Sequence, residues 1–222
     1  MNYGKKRPAW LAYDATIAHF QKSDNDQNDP EYFKTVEKFC GGERGFSVYP
    51  NSVCFTDVRH QQKWREYVSE KTNVPISTFK KHTQRKGDCV HVALVEGLMG
   101  HVQPKRGARV FPGFGEFHSC LVIVDTKAKK IYVHNPWEQG HLRSRRVKVV
   151  NDIRPKLVMK LCRLFRKFTV YHNSGHQVDT SDCRCQVLYF AKRLGGFGRH
   201  NFAKRIPWTY LPKCAYKTTK KR

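Results

Sequence analysis

Cys183 follows Asp182 at the start of an amphipathic pattern, and Gln177 stands six residues before it. Asp182 is a good N-cap, which puts the thiol in the first helical turn. The helix dipole there favours thiolate over thiol and lowers the thiol pKa. Upstream, His118 opens one apolar run and Asn135 closes the next. A nucleophilic thiol, an imidazole base, an amide that can orient the imidazole and a second amide near the thiol are the parts of a thiol hydrolase. Each part alone has a bland reading: a buried cysteine is usually a small hydrophobe, and a histidine at a strand start is usually structural. It is the joint order and spacing that point to chemistry.

The elements that must position these groups are legible from pattern. After Cys183, the residues Val187, Leu188, Phe190, Ala191 and Leu194 share one face at helical spacing, and Gln186, Lys192 and Arg193 take the other. Gly195-Gly196 predicts the end of that helix. Leu121-Val122-Ile123-Val124 and Ile131-Tyr132-Val133 predict two strands joined by the polar stretch 125–130. A turn centred between Thr126 and Lys127 makes His118 and Asn135 direct cross-strand neighbours, with Cβ atoms ~5 Å apart.

The order His118, Asn135, Gln177, Cys183 resembles the family of the ubiquitin-like-protein-specific (SUMO) proteases and the adenovirus endopeptidase. In that family a histidine starts a strand, an Asp, Asn or Glu ends the next, and a Gln precedes Asp-Cys-Gly at a helix head. Asn135-Pro136-Trp137 and the segment from Gln177 to Cys183 are similar to this pattern over roughly residues 107–195. Ser119 stands where the family usually has Trp, and Arg184 where it has Gly. The resemblance implies Cys183 as nucleophile, His118 as base, Asn135 as orienter, and Gln177 as oxyanion donor with backbone N–H groups. It implies a permuted papain-like cysteine protease fold, protein substrates, no cofactor for the chemistry, and an activating peptide or stimulatory DNA as partners. A viral maturation protease and a SUMO- or ubiquitin-deconjugating enzyme both fit it.

A rival lies at Lys86-Gly87-Asp88-Cys89. Asp88 could cap a helix running through Val90, Val92, Ala93, Leu94 and Leu98, giving a papain-like order of Cys89, His118 and Asn135 similar to ovarian-tumour-type deubiquitinases. A further alternative is a basic nucleic-acid-packaging protein whose triad is inert.

The chain has 222 residues, enough for one compact domain with a sizeable core. We expect a mainly helical N-terminal part over 1–100, with helices at 9–22, 31–40 and 59–71. A catalytic part with a basic end follows over 101–222. It should carry a strand within 103–117, the hairpin 118–135, a helix over 152–167 and a strand over 168–171. The class is α+β, a central mainly antiparallel sheet flanked by helices. No apolar run approaches ~20 residues, so no membrane span is expected. The first eight residues hold no apolar signal core, so the expected location is cytoplasm or nucleus, or the virion and host nucleus if viral, and not secretion. The eight cysteines then read as thiols. His172, His176 and His200 have no fixed common face, and no metal site is expected.

Lys and Arg number 42 against 18 acidic residues, a net charge of +24. Residues 141–222 carry 21 basic and 3 acidic residues, and so +18 of the excess. Such an excess suggests a polyanion partner. On the helix over 152–167, Ile153, Leu157, Leu161, Leu164 and Phe165 form the apolar stripe. Lys156, Lys160, Arg163, Arg166 and Lys167 lie outside it. With Arg143, Arg145, Arg146, Lys220, Lys221 and Arg222 these are the candidate contacts to nucleic-acid phosphates. No recognised base-reading motif accompanies them, so binding should ignore sequence.

Overall fold

A computed structural model of the chain describes residues 30–54, 73–98, 102–104, 117–136, 147–149, 153–174 and 183–211. Its spine is an antiparallel ladder of three strands. β4 (Val90–Leu98) pairs with β6 (Phe117–Asp125), which pairs with β7 (Lys130–Asn135). Leu121, Val122, Ile123 and Val124 are all buried, because helices cover both faces of the sheet. A strand covered on both sides reads as a continuous apolar run.

The same physics corrects one expectation. The apolar stretch after Cys89 is β4, not a helix. Short apolar runs do not distinguish a buried helix from a buried strand, and β-branched Val90, Val92 and Val95 favour the strand. Val90, Val92 and Leu94 pack into one core layer. Ala93 and Val95 pack into the other, as strand alternation requires.

Three-residue strands extend this ladder. β2 (Ser52–Cys54) runs parallel beside β4, and β3 (Asn73–Pro75) parallel beside β2. β1 (Phe46–Val48) also pairs parallel with β4. On the other side β9 (Thr169–Ser174) runs parallel to β7, and β10 (Thr209–Leu211) closes that edge antiparallel to β9. The eight-stranded sheet is thus mixed, antiparallel at its centre. β5 (Val102–Pro104) and β8 (Val147–Val149) form a separate two-stranded ribbon. β1 to β4 all precede residue 100, so the central sheet draws on both sides of the expected division there. The helices expected at 9–22 and 59–71 lie outside the described residues.

Helices sandwich the sheet. α1 (Pro30–Cys40) and α4 (Cys183–Arg205) cover one face, with Val36, Val187, Phe190 and Leu194 against Leu121, Ile123 and Tyr132. α2 (Ile76–Arg85) and α3 (Ile153–Leu164) cover the other, with Phe79, Leu157 and Leu161 against Val122, Val124 and Val133. α4 does not stop at Gly195-Gly196. It continues to Gly198, where φ 69° and ψ 164° break the helix, and resumes to Arg205. Gly195 is where α4 meets α1: a Cβ there would overlap the Phe39 carbonyl oxygen. The glycine pair permits a close helix crossing rather than a stop.

Candidate active site

Three backbone segments meet at one edge of the sheet. β7 and β9 run side by side and end together, with Asn135 opposite Ser174. β6 is antiparallel to β7, so it begins at that edge, where His118 pairs with Gly97 of β4. The direction of α4 follows from its contacts. Phe190 stacks on His134, near the end of β7, with ring centroids 3.7 Å apart. Phe202 instead meets Tyr132 and Phe46, toward the opposite edge. α4 therefore starts at the edge where β6 begins. Cys183 lies seven residues before Phe190, about 10 Å of helix rise. Gln177 falls in the connection 175–182, outside the described residues.

The hairpin register differs from expectation. Asp125 pairs with Lys130 and Leu121 with His134, so the turn comprises Thr126 to Lys129. Asp125 Oδ1 accepts from the Ala128 N–H at 2.8 Å, and Lys129 takes φ 52°. This four-residue turn is centred one residue later than expected, which moves the pairing by two positions. His118 and Asn135 are consequently not directly opposite. Asn135 contacts Cys120, whose Sγ–H donates to Asn135 Oδ1 at 3.7 Å in the buried interior. His118 is two strand positions from Cys120, about 7 Å along β6. Asn135 itself is 1% exposed and, with Cys120, belongs to the sheet face covered by α2 and α3, whereas His134 and α4 lie on the other face.

Cys89 is excluded from this edge. It precedes Val90, which pairs with Asp125 at the turn end of β6. Its N–H donates to Thr126 Oγ1 at 2.9 Å. Val90 and Gly97 are seven strand positions apart, about 23 Å. The papain-like order through Cys89, His118 and Asn135 is not assembled in this fold. Cys40 is no candidate either, because burial pushes its thiol up to about 12.

Two buried histidines escaped the sequence reading. His134 Nδ1 lies 3.0 Å from Asn173 Oδ1, and Asn173 Nδ2–H donates to the Pro207 carbonyl at 3.0 Å. The chain ties β7, β9 and the segment after α4 together. Strand alternation would have placed His134 on the α4 face, but the stacking on Phe190 needed the fold. His91 in β4 is fully buried, and neither ring nitrogen has a hydrogen-bond partner among the described residues. Burial first, then the His82 and Lys86 charges, hold its pKa down at about 4.

His172 sits in β9 and His200 in the far part of α4; His176 lies outside the described residues. Among the described residues no three His, Cys, Asp or Glu are grouped to hold a metal ion. Nor is any of their helices long and apolar enough to cross a membrane. On α3, Leu157, Val158 and Leu161 are buried together with the following Phe165. Arg163, Arg166 and Lys167 are exposed and Lys160 half-buried. Lys156 lies on the same helix. Arg143, Arg145, Arg146, Lys220, Lys221 and Arg222 fall outside the described residues.

No protein-family model matches the chain. No curated protein does so either. Among solved structures it is similar to the Legionella pneumophila effector protein RavZ, in complex with human LC3B. That match has a TM-score of 0.35 and 12% identity, over 80% of this chain and 44% of RavZ. The chain thus spans less than half the length of that protein. It is also similar to the SUMO protease Ulp1 with its catalytic cysteine oxidised to a sulfenic acid. There the TM-score is 0.31 and the identity 12%, over 86% of this chain and 95% of Ulp1. For the sulfonic acid form the values are 0.28 and 14%, over 84% and 94%.

Proposed function

We propose that this protein is a cysteine protease of permuted papain-like order, with Cys183 as nucleophile. The observation that supports the proposal is that β6 begins, β7 ends and α4 starts toward the same end of the sheet, with α4 on one face and Asn135 on the other. In the proposed mechanism the Cys183 thiolate attacks a peptide carbonyl. The His118 imidazole takes the thiol proton and returns it to the leaving amine. The Asn135 amide fixes the imidazole tautomer. Gln177 and backbone N–H groups at the head of α4 hold the oxyanion of the tetrahedral intermediate. Water then hydrolyses the thioester and restores the thiol.

The charge favours one biological setting. A protease carrying +24 is suited to work among packaged nucleic acid, so its substrates would be precursor proteins of a nucleic-acid-filled particle in the virion or host nucleus. Duplex DNA and a substrate-derived peptide are the proposed activators.

The test is peptide cleavage together with labelling by a thiol-reactive activity probe. Cys183→Ala and His118→Ala should each abolish cleavage while the far-UV spectrum is kept. Cys89→Ala should retain most activity. Loss of activity in Cys89→Ala with a fully active Cys183→Ala overturns the assignment. Absence of both labelling and cleavage in the intact protein, with every substrate tried, points instead to an inert packaging protein. Cleavage of SUMO or ubiquitin conjugates, but not of particle precursors, replaces the maturation role with a deconjugating one.

A further inference from the structure

The 3-10 turn Gly42–Arg44 after α1 and the break in α4 face each other across a cavity of about 380 Å³. Arg44, Arg199 and His200 line it, with Glu43 as its one acidic residue. Neither arginine is ion-paired with a carboxylate among the described residues. Arg44 and Arg199, both exposed, stand on the two facing segments with Glu43 as the one carboxylate beside them, and the balance leaves a positive field across the cavity mouth.

The backbone is shaped to hold them there. Three of the four positive-φ glycines among the described residues, Gly42, Gly45 and Gly198, line this cavity. Gly198 redirects α4 so that Arg199 turns toward the 3-10 turn. Gly45 takes φ 79°, a left-handed conformation that favours glycine, and the Arg199 stem lies against it, Cδ 2.6 Å from where a Cβ would stand. Arg199 Nε–H donates to His200 Nε2 at 3.0 Å on the exposed side of the cavity.

We propose that this cavity binds a small phosphate-bearing anion. The planar guanidinium fork suits paired phosphate oxygens. A pocket of this volume suits a compact ligand with two or three phosphate groups rather than a duplex lying across a surface. The bound anion bridges the turn after α1 to the far part of α4, the helix that Cys183 heads. The site stands independently of the protease assignment.

Titration calorimetry with tripolyphosphate at 0.15 M salt tests it. The expected result is one site per chain and a raised Tm. Arg44→Gln with Arg199→Gln should weaken binding at least tenfold. Arg44→Lys with Arg199→Lys keeps the charge and should still lose several-fold, because lysine lacks the fork. Lys160→Gln and Arg163→Gln on α3, with Lys167→Gln just after it, should change affinity less than twofold. Thermal melts without ligand establish that the variants are folded. Unchanged binding in the folded Arg44/Arg199 variants, or an equal loss in the α3 variant, overturns the proposal. So does a duplex DNA that needs both arginines while tripolyphosphate binds no better than sulfate.

Discussion

Gln177 and Asn135 have different tasks in the proposed mechanism, and kinetics separates them. An amide that donates only to the developing oxyanion acts in the transition state. Gln177→Ala should therefore lower kcat by ~10²–10³ with little change in KM. Asn135→Ala should cost less than His118→Ala, because it orients the base and transfers no proton. An unchanged kcat in Gln177→Ala removes the oxyanion role. His91 makes a second prediction, about stability. Its ring is buried with no hydrogen-bond partner among the described residues, and its pKa falls from 6.5 to about 4 in the folded chain. Between those values the unfolded chain holds a proton that the native chain does not. Stability should thus be level above pH 6.5 and fall as pH drops toward 4, by at most about 3 kcal/mol. His82, whose ring lies 5.7 Å from that of His91, is shifted the same way by burial and by Lys86 and Arg85, and adds to the trend. The ring of Tyr49 packs on that of His82. Urea unfolding of His91→Leu at several pH values should show a flatter profile than the parent; an identical slope removes His91 as its source.

The glycine pair in α4 separates two uses of one residue type. Gly195 lies against the Phe39 backbone, so Gly195→Ala must push α1 and α4 apart. That should cost about 3 kcal/mol in denaturant unfolding. Gly196 is exposed, with nothing within 4 Å of a Cβ built on it. Gly196→Ala should stabilise the helix by ~0.5–1 kcal/mol. Equal effects at both positions would contradict the close crossing. From sequence the pair reads as a helix stop, because local propensity cannot see the partner helix. α1 and α3 were legible for the opposite reason, because their amphipathic patterns show one buried face, and the hairpin was legible from two short β-rich runs around a polar turn. β4 was not, because burial on both faces erases its period. The order of the candidate site was readable from residue types at fixed spacing. Its hairpin register was not, since the Asp125–Ala128 hydrogen bond decided the turn.

The whole molecule carries a charge that the core cannot use. α3 buries Leu157, Val158 and Leu161 against the sheet, so its apolar face is already occupied, and Arg163 with the following Arg166 and Lys167 is left exposed. We predict that the protein binds duplex DNA without sequence preference, mainly through residues 141–222. Each phosphate neutralised releases condensed counterion, so log K should fall with log salt at about −0.9 per contact. Changing Lys156, Lys160, Arg163, Arg166 and Lys167 to Gln should weaken binding alike on every sequence and flatten that slope. The buried stripe is untouched, so stability should move by no more than about 1 kcal/mol. A fluorescence-anisotropy titration of labelled duplexes from 50 to 200 mM salt, roughly the range over which such contacts lose most of their affinity, reads both quantities. If the five-fold variant binds as tightly as the parent, the basic face of α3 is a solvated surface. If neither binds at the lowest salt, the excess of +24 has no duplex partner and the particle setting loses its physical basis.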